Sequence, residues 1–275
     1  MRENTTLAHH INQLVVPQGQ LALWSLGQAG FVIKGGSTLV CIDPYLSDVI
    51  TEQGGPARRF PPPLAPTELT NMHMVFTTHE HLDHTDPATL VPLLSASAQA
   101  LLVTSPQGRE IALNAGIDDS RIRVPRIGQP VEAGDLIYTA IPAAHYQYEV
   151  DAQQQSRWMG FLIKLNGVTL YHAGDTIVIP ELLAALANVP LDLALLPING
   201  RDYFREEQSI VGNLWPREAA QLAQRFAPRV LLGMHNDLFA ENRVRPGLLF
   251  DELDHAKPFQ ACHLLQPGEL YLYAG

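Results

Sequence analysis

The densest group of potential metal ligands in this chain is the run Thr78-His79-Glu80-His81-Leu82-Asp83-His84. Residues 79–84 hold three imidazoles and two carboxylates. Neutral histidine is the commonest side-chain metal ligand, and carboxylate oxygens are its usual anionic companions. A polar loop with merely exposed histidines is the alternative, but chance rarely places three of the eleven histidines in this spacing beside an aspartate. The run therefore indicates a metal centre.

The apolar, partly β-branched residues 74–77 predict a buried strand that ends where these histidines begin. At a strand end, alternation points His79 and His81 to one side, while Asp83 and His84 turn away into the following loop. Two facing groups of ligands, one pair each, indicate two adjacent metal ions.

The pattern His-x-His-x-Asp-His resembles the metal-binding motif of the metallo-β-lactamase superfamily. Three more candidate ligands, His145, Asp175 and His235, each stand directly after a predicted strand. Taken singly, a histidine at a strand end is more often a structural hydrogen-bonding group. The resemblance implies the full assignment: one metal is held by His79, His81 and His145, the other by Asp83, His84 and His235, and Asp175 bridges them.

Five histidines and two aspartates are compatible with several divalent ions, and the resemblance implies a cofactor of one or two Zn²⁺ or Mn²⁺ ions. Two such cations would lower the pKa of a bridging water toward neutrality and polarise the oxygen of an ester or lactone. The predicted catalytic residues are Asp83 and His84. The resemblance implies that Asp83 takes or relays the proton.

The elements that must position these ligands follow a two-part order along the chain. Strands predicted at 21–25, 30–34 and 38–42 form a meander, and later strands alternate with helices, which fits two packed sheets with helices outside. The resemblance implies an α/β fold, the αββα four-layer sandwich. No linker or fixed-period repeat is visible, so we interpret residues 1–275 as one metallo-hydrolase domain. Asp43, after the third strand, is predicted either to orient a ligand histidine or to cap the next turn.

Composition restricts the classes of partner. The net charge of −10 argues against a surface that wraps nucleic acid. Cys41 and Cys262 lack partner motifs, which is typical of a reduced, intracellular protein. The first residues have no apolar signal sequence, and no run reaches the roughly 18 apolar residues of a membrane span. We therefore expect a soluble, cytoplasmic protein without a membrane or nucleic-acid partner.

A second informative stretch is Pro197-Ile198-Asn199-Gly200-Arg201-Asp202-Tyr203-Phe204-Arg205, which follows a predicted buried strand. Its Asn, Arg and Tyr side chains are donors that suit an anionic or polyhydroxyl ligand. With the metal motifs it resembles the L-ascorbate-6-phosphate lactonase family. That resemblance implies a small anionic substrate, a phosphorylated sugar lactone, and leaves assembly into homo-oligomers open. The implied substrate contacts are Asn199, Arg201 and Arg205.

Surface pairing of the two arginines with Glu206 and Glu207 is an equal alternative to phosphate binding. The Pro-, Gly- and Arg-rich residues 50–70 predict a lid or binding loop, with a disordered excursion as the competitor. Arg58 and Arg59 would give such a lid positive charge.

Several other functions use the same ligands. A phosphodiesterase or nuclease of the superfamily would need a basic arm, which this acidic chain lacks, and a thioesterase is a further hydrolytic rival. A non-catalytic metal-binding protein is the alternative from another class, and the complete ligand set argues against it. A redox role, as in diiron flavoproteins, would require an acidic residue among the terminal histidine positions.

Overall fold

The computed structural model describes residues 6–275, which form two seven-stranded β-sheets with helices on their outer faces. The first sheet contains β1 (Gln20–Gly27), β2 (Gly30–Gly35), β3 (Thr38–Ile42), β4 (Met74–Phe76), β5 (Leu101–Val103), β6 (Ile122–Arg123) and the last strand, β14 (Leu270–Ala274). Its spatial order is β14-β1-β2-β3-β4-β5-β6. The predicted meander, β1 to β3, and the strand β14 beside it form the antiparallel part, and β3 to β6 run parallel.

The second sheet has the order β13-β12-β11-β10-β9-β8-β7. Its strands are β7 (Pro130–Ala133), β8 (Leu136–Pro142), β9 (Met159–Leu165), β10 (Val168–His172), β11 (Leu193–Pro197), β12 (Val230–Met234) and β13 (Ala261–His263). Strands β7 to β10 are antiparallel, whereas β10 to β13 are parallel. Parallel strands end at a common edge, and that edge carries the candidate ligands.

The described chain contains eight α-helices, of which the first precedes β1 and the others lie between strands. They are α1 (Leu7–Gln13), α2 (Val49–Glu52), α3 (Pro87–Ala96), α4 (Pro106–Asn114), α5 (Pro180–Leu186), α6 (Tyr203–Glu207), α7 (Pro216–Phe226) and α8 (Gly247–Ala256). Among residues 6–275, none of them combines the length and apolar character that crossing a bilayer requires.

Alternation along the strands buries both faces of the first sheet. In β1, Leu23 belongs to the core between the sheets, while its neighbour Trp24 packs under α1, α3 and α4. Between the sheets, the ring centroid of Phe76 lies 5.2 Å from Tyr138 and 4.9 Å from Phe161. Helices α5, α7 and α8 share a core with the second sheet. The predicted αββα four-layer sandwich is confirmed.

The segment predicted as a lid is fastened to the body of the protein. The Arg58 guanidinium lies 4.8 Å from the Tyr45 ring centroid and donates to the carbonyls of Tyr45 (3.1 Å), Ser47 (2.9 Å) and Phe60 (3.2 Å). Its side chain is only 4% exposed. The prediction that Arg58 gives the surface of a lid positive charge is therefore wrong, because its guanidinium is buried against the protein. The Arg59 side chain donates to the Asp237 carbonyl at 2.6 Å.

Candidate metal centre

The histidine run leaves β4 through a tight turn. The backbone N–H groups of His84 and Thr85 both donate to the carbonyl of His81, at 2.9 and 2.8 Å. Asp86 then caps α3 by accepting from the N–H of Ala88 at 2.9 Å. This turn and cap hold the run against the end of the first sheet.

The second sheet supplies the remaining ligands from three strand ends. His145 follows β8, Asp175 follows β10 and His235 follows β12. The chain passes very close to the histidine run just before Asp175. A Cβ on Gly174 (φ 60°) would lie 2.8 Å from Cβ of Thr78, so only glycine fits there.

The structure brings all seven predicted ligands together in two groups. In the first, His79, His81, His145 and Asp175 each offer one ligand atom, and these atoms lie within 4.8 Å of one another. Nε2 of His79 is 2.9 Å from Nδ1 of His81 and 3.4 Å from Nε2 of His145. Ring nitrogens that converge in this way can direct their lone pairs at one cation.

Asp83, His84 and His235 form the second group, again within 4.8 Å. Nε2 of His235 lies 3.3 Å from Nε2 of His84 and 3.3 Å from Oδ2 of Asp83. The Asp83 side chain is 17% exposed, whereas that of His84 is fully buried. Asp83 is therefore the most exposed member of this group.

Asp175 faces both groups with different oxygens. Its Oδ1 lies 3.1 Å from Nε2 of His235 and 3.4 Å from Nε2 of His84, while Oδ2 is 3.9 Å from Nε2 of His145. One carboxylate oxygen toward each group is the arrangement that a bridging ligand requires.

Electrostatics of the site fit bound cations. Burial and the imidazoles of neighbouring histidines hold the pKa of His79 well below its ordinary value. Burial also lowers the pKa of His145, to about 4. Both rings are therefore neutral and can donate lone pairs. Burial opposes charge on His84 too, but Asp175, Asp43 and Asp83 outweigh it and raise its pKa well above the ordinary value. Carboxylates clustered so tightly favour positive charge at this point.

Asp43 fixes the orientation of His84 from behind. Its Oδ1 accepts from the N–H of Thr78 at 2.8 Å, and its Oδ2 accepts from the Thr78 hydroxyl at 2.8 Å and from Nδ1 of His84 at 2.7 Å. A carboxylate only accepts, so Nδ1 carries a proton, and Nε2 is the nitrogen that would present a lone pair to a cation once it has given up its own proton. Of the two roles predicted for Asp43, the structure shows the orienting one.

Sequence reasoning missed Gln28. This residue is 4% exposed and left-handed (φ 56°). Its Nε2 donates to Oδ2 of Asp83 at 2.8 Å and lies 3.1 Å from Nε2 of His235. Its backbone N–H donates to Asp237 at 2.9 Å, and its carbonyl accepts from the N–H of His235 at 2.8 Å. The only sequence signal is a glutamine in the turn Gly27-Gln28-Ala29-Gly30 that joins β1 and β2.

His172 belongs to neither ligand group. Its Nε2 donates to the carbonyl of Ala29 at 2.9 Å, and its Nδ1 accepts from the N–H of Gly174 at 3.1 Å. It thus supports the backbone just before Asp175.

The structure does not bring the predicted substrate contacts to the ligand groups. Arg201 forms a bidentate pair with Glu218, both contacts at 2.7 Å, and also donates to the carbonyl of Asn213 at 2.9 Å. The predicted surface partners of Arg201, Glu206 and Glu207, are wrong, because α7 brings Glu218 to it instead.

Arg205 and Asn199 are likewise engaged within the protein. Arg205 pairs with Asp202 and donates to the carbonyl of Asn199 at 2.9 Å. The Asn199 side chain is fully buried and donates to Oδ1 of Asn242 at 2.8 Å. Contact between these residues and a substrate stays a prediction. In the structure their side chains bond to other residues of the protein and hold the stretch 199–205 in place.

A cavity of about 410 Å³ opens over both ligand groups. Among the ligands, His81, Asp83, Asp175 and His235 line it. A separate cavity of about 290 Å³ beyond residues 234–237 is lined by none of the seven. A substrate would therefore reach the ligand groups through the cavity of about 410 Å³.

Known proteins resemble the chain in sequence and in fold. Residues 38–236 match the family model described as "Beta-lactamase superfamily domain". A UPF0173 metal-dependent hydrolase of Thermococcus kodakarensis is 31% identical over 216 residues, which are 76% of this chain and 82% of that protein.

Two solved structures share the fold at lower identity. Igni18, a metallo hydrolase of Ignicoccus hospitalis, has a TM-score of 0.71 at 20% identity and covers 93% of this chain and 99% of its own. An isothiocyanate hydrolase from Delia radicum gut bacteria has a TM-score of 0.74 at 18% identity, and the alignment covers 92% of this chain and 100% of that one. At these identities the likeness shows the fold alone.

Proposed function

Because the chain belongs to the UPF0173 metal-dependent hydrolases of the beta-lactamase superfamily, we propose that it hydrolyses an ester-type bond, with a lactone as the first candidate. The observation that carries the proposal is the convergence of seven predicted ligands from both sheets beneath one cavity. The cofactor we propose is a pair of divalent ions, Zn²⁺ or Mn²⁺. When bound, such ions supply Lewis-acid chemistry that activates water and polarises a carbonyl.

The residues of the chain divide the work around those ions. His79, His81 and His145 would hold one ion, and Asp175, which lies close to both ligand groups, would contribute to both ion sites. His84 is fully buried, so its catalytic part is that of a ligand whose tautomer Asp43 sets.

Asp83 is the proposed proton-relay residue. Its carboxylate is partly exposed and belongs to the second ligand group. The hydrogen bond from Gln28 to Oδ2 holds the carboxylate in a fixed orientation, so that the proton passes at a defined position. Such positioning is what an acid–base group needs in order to act within hydrogen-bond reach of a bound substrate.

Within ester-type substrates, the sequence resemblance favours the lactone of a sugar-acid phosphate. The lactone ring fits the chemistry of the centre, since it contains a carbonyl that Lewis acids polarise. The phosphate has less support, because Arg201 and Arg205, its predicted contacts, already pair with Glu218 and Asp202.

Metal analysis followed by an activity screen tests the proposal. We expect the protein to bind two equivalents of Zn²⁺ or Mn²⁺ and to hydrolyse lactones or esters in preference to phosphodiesters and thioesters. His81→Ala should abolish hydrolysis and remove close to half of the bound metal, because it deletes one ligand of the first group. His255→Ala, an exposed histidine outside both groups, is the control. Full activity and metal content in His81→Ala would refute the assignment.

A further inference from the structure

The walls of the cavity above the ligand groups are largely apolar. Four separate segments contribute to them. The apolar lining side chains are Ile50, Pro56, Leu82, Ile210, Val211 and Phe239. Each methylene group that leaves water against such a wall favours binding by up to about fourfold. The shape of the site therefore rewards an apolar group on the substrate.

Cationic side chains are absent from the described lining of this cavity. Beyond the ligands themselves, its charged side chain is Glu80, which pairs with Arg157. Recognition of a phosphate or carboxylate away from the metal ions usually uses an arginine fork or a lysine. The described walls provide neither.

The nearby arginines that sequence motifs single out are all committed elsewhere. Arg58 is held by three backbone carbonyls, and Arg201 is held by both oxygens of Glu218. Turning Arg201 into the cavity would leave the half-buried Glu218 carboxylate without its cation. A substrate phosphate would have to compensate for that loss.

The polar residues of the stretch 199–213 bond to one another and support the loop that carries the apolar wall. Asn213 donates to Oδ1 of Asn199 at 3.1 Å, and Arg205 donates to Oδ1 of Asn242 at 3.2 Å. The carbonyl of Arg205 also accepts from the N–H of Ile210 at 2.9 Å. This connected network fixes the base of the loop that carries Ile210 and Val211.

We propose that the substrate is a neutral ester or lactone with an apolar acyl part that lies in this cavity, in place of the anionic substrate predicted from sequence. The inference rests on the proposed function for the bond that is broken, and goes beyond it by naming the substrate class. Ile210 and Val211 are the specificity-determining residues, and the network of Asn199 and Arg205 positions them.

Binding of alkyl hydroxamates to the metal-loaded protein tests the cavity independently of turnover. The series from acetohydroxamate to octanohydroxamate keeps one metal-binding group and lengthens the apolar tail. We expect calorimetric Kd values to tighten about two- to fourfold per methylene until the cavity is filled. We also expect gluconate 6-phosphate to bind no more tightly than gluconate.

Variants locate the effect. The double variant Ile210→Ala and Val211→Ala should flatten the dependence of Kd on chain length, while Phe250→Ala, which removes an exposed apolar side chain on α8, should leave it unchanged. Parallel kinetics compare alkyl γ-lactones of increasing length with sugar-acid lactones, with and without phosphate. The slope in kcat/KM should follow the slope in Kd.

The outcomes separate the two proposals. A flat hydroxamate series, or a phosphate that strengthens binding by about tenfold or more, overturns the neutral-substrate inference even if lactones are hydrolysed. A steep hydroxamate series without hydrolysis of any ester or lactone removes the proposed function and supports the apolar cavity.

Discussion

Replacing Asp43 by asparagine tests how the metal centre is oriented. The carboxylate is fully buried and accepts three hydrogen bonds, two from Thr78 and one from Nδ1 of His84. An amide of the same shape has one accepting and one donating end. If its oxygen keeps His84, its NH₂ group faces the Thr78 N–H, donor against donor. If its oxygen keeps that N–H, His84 must move its proton to Nε2 and loses the lone pair offered to the second group.

Either orientation has a definite cost. An unpaired buried N–H destabilises the fold by about 1–3 kcal/mol. Loss of the orienting partner of a ligand histidine weakens metal affinity by about 10- to 100-fold, or roughly 1.4–2.7 kcal/mol. Because His84 belongs to the second group, we expect one of two metal equivalents to weaken while the other is retained.

Chelator competition with the purified protein measures both equivalents, and urea unfolding of the metal-free protein measures stability. Asp48→Asn is the matched control, since the Asp48 side chain is 62% exposed. Unchanged affinity of both equivalents in Asp43→Asn would show that Asp43 does not set the tautomer of His84.

Two further substitutions examine other supports of the centre. Gln28→Met removes the donor to Asp83 at similar size, so we expect about tenfold weaker binding of one equivalent in chelator competition and little change in metal-free stability; equal affinity would assign Gln28 a purely structural part. Gly174→Ala should lower both metal content and unfolding free energy, by about 2 kcal/mol or more, because its Cβ would lie 2.8 Å from Cβ of Thr78. Gly116→Ala is the control, because Gly116 also has a positive φ (86°) but lies in open space; equal losses in the two glycine variants would exclude the close approach as the cause.

Much of the centre is predictable because its ligands stand at strand ends. Local apolar runs place β4, β8 and β12. In the second sheet β8, β10 and β12 run in the same direction, so that His145 and His235 fall at one edge beside the histidine run. The metal motif is contiguous and therefore readable in one dimension. The same residues predict that the chain belongs to the superfamily, and this prediction is confirmed.

Long-range pairing explains what could not be predicted. Gln28 lies 55 residues from Asp83 and 207 from His235, in a left-handed turn that has no periodic signal. Arg201 has acidic neighbours nearby in sequence, yet α7 delivers Glu218 from 17 residues away. In each case tertiary packing decides between locally similar options.

The first ligand group takes His79 and His81 from one sheet and His145 and Asp175 from the other. An ion bound there would crosslink the two sheets at one edge. It would also close the chain between His81 and His145 into a loop. Because such a site does not exist in the unfolded chain, binding energy becomes folding energy. The same residues would then serve both the metal chemistry and the stability of the fold, so that removing the ion would weaken the hold between the two sheets at the edge that carries the ligand groups.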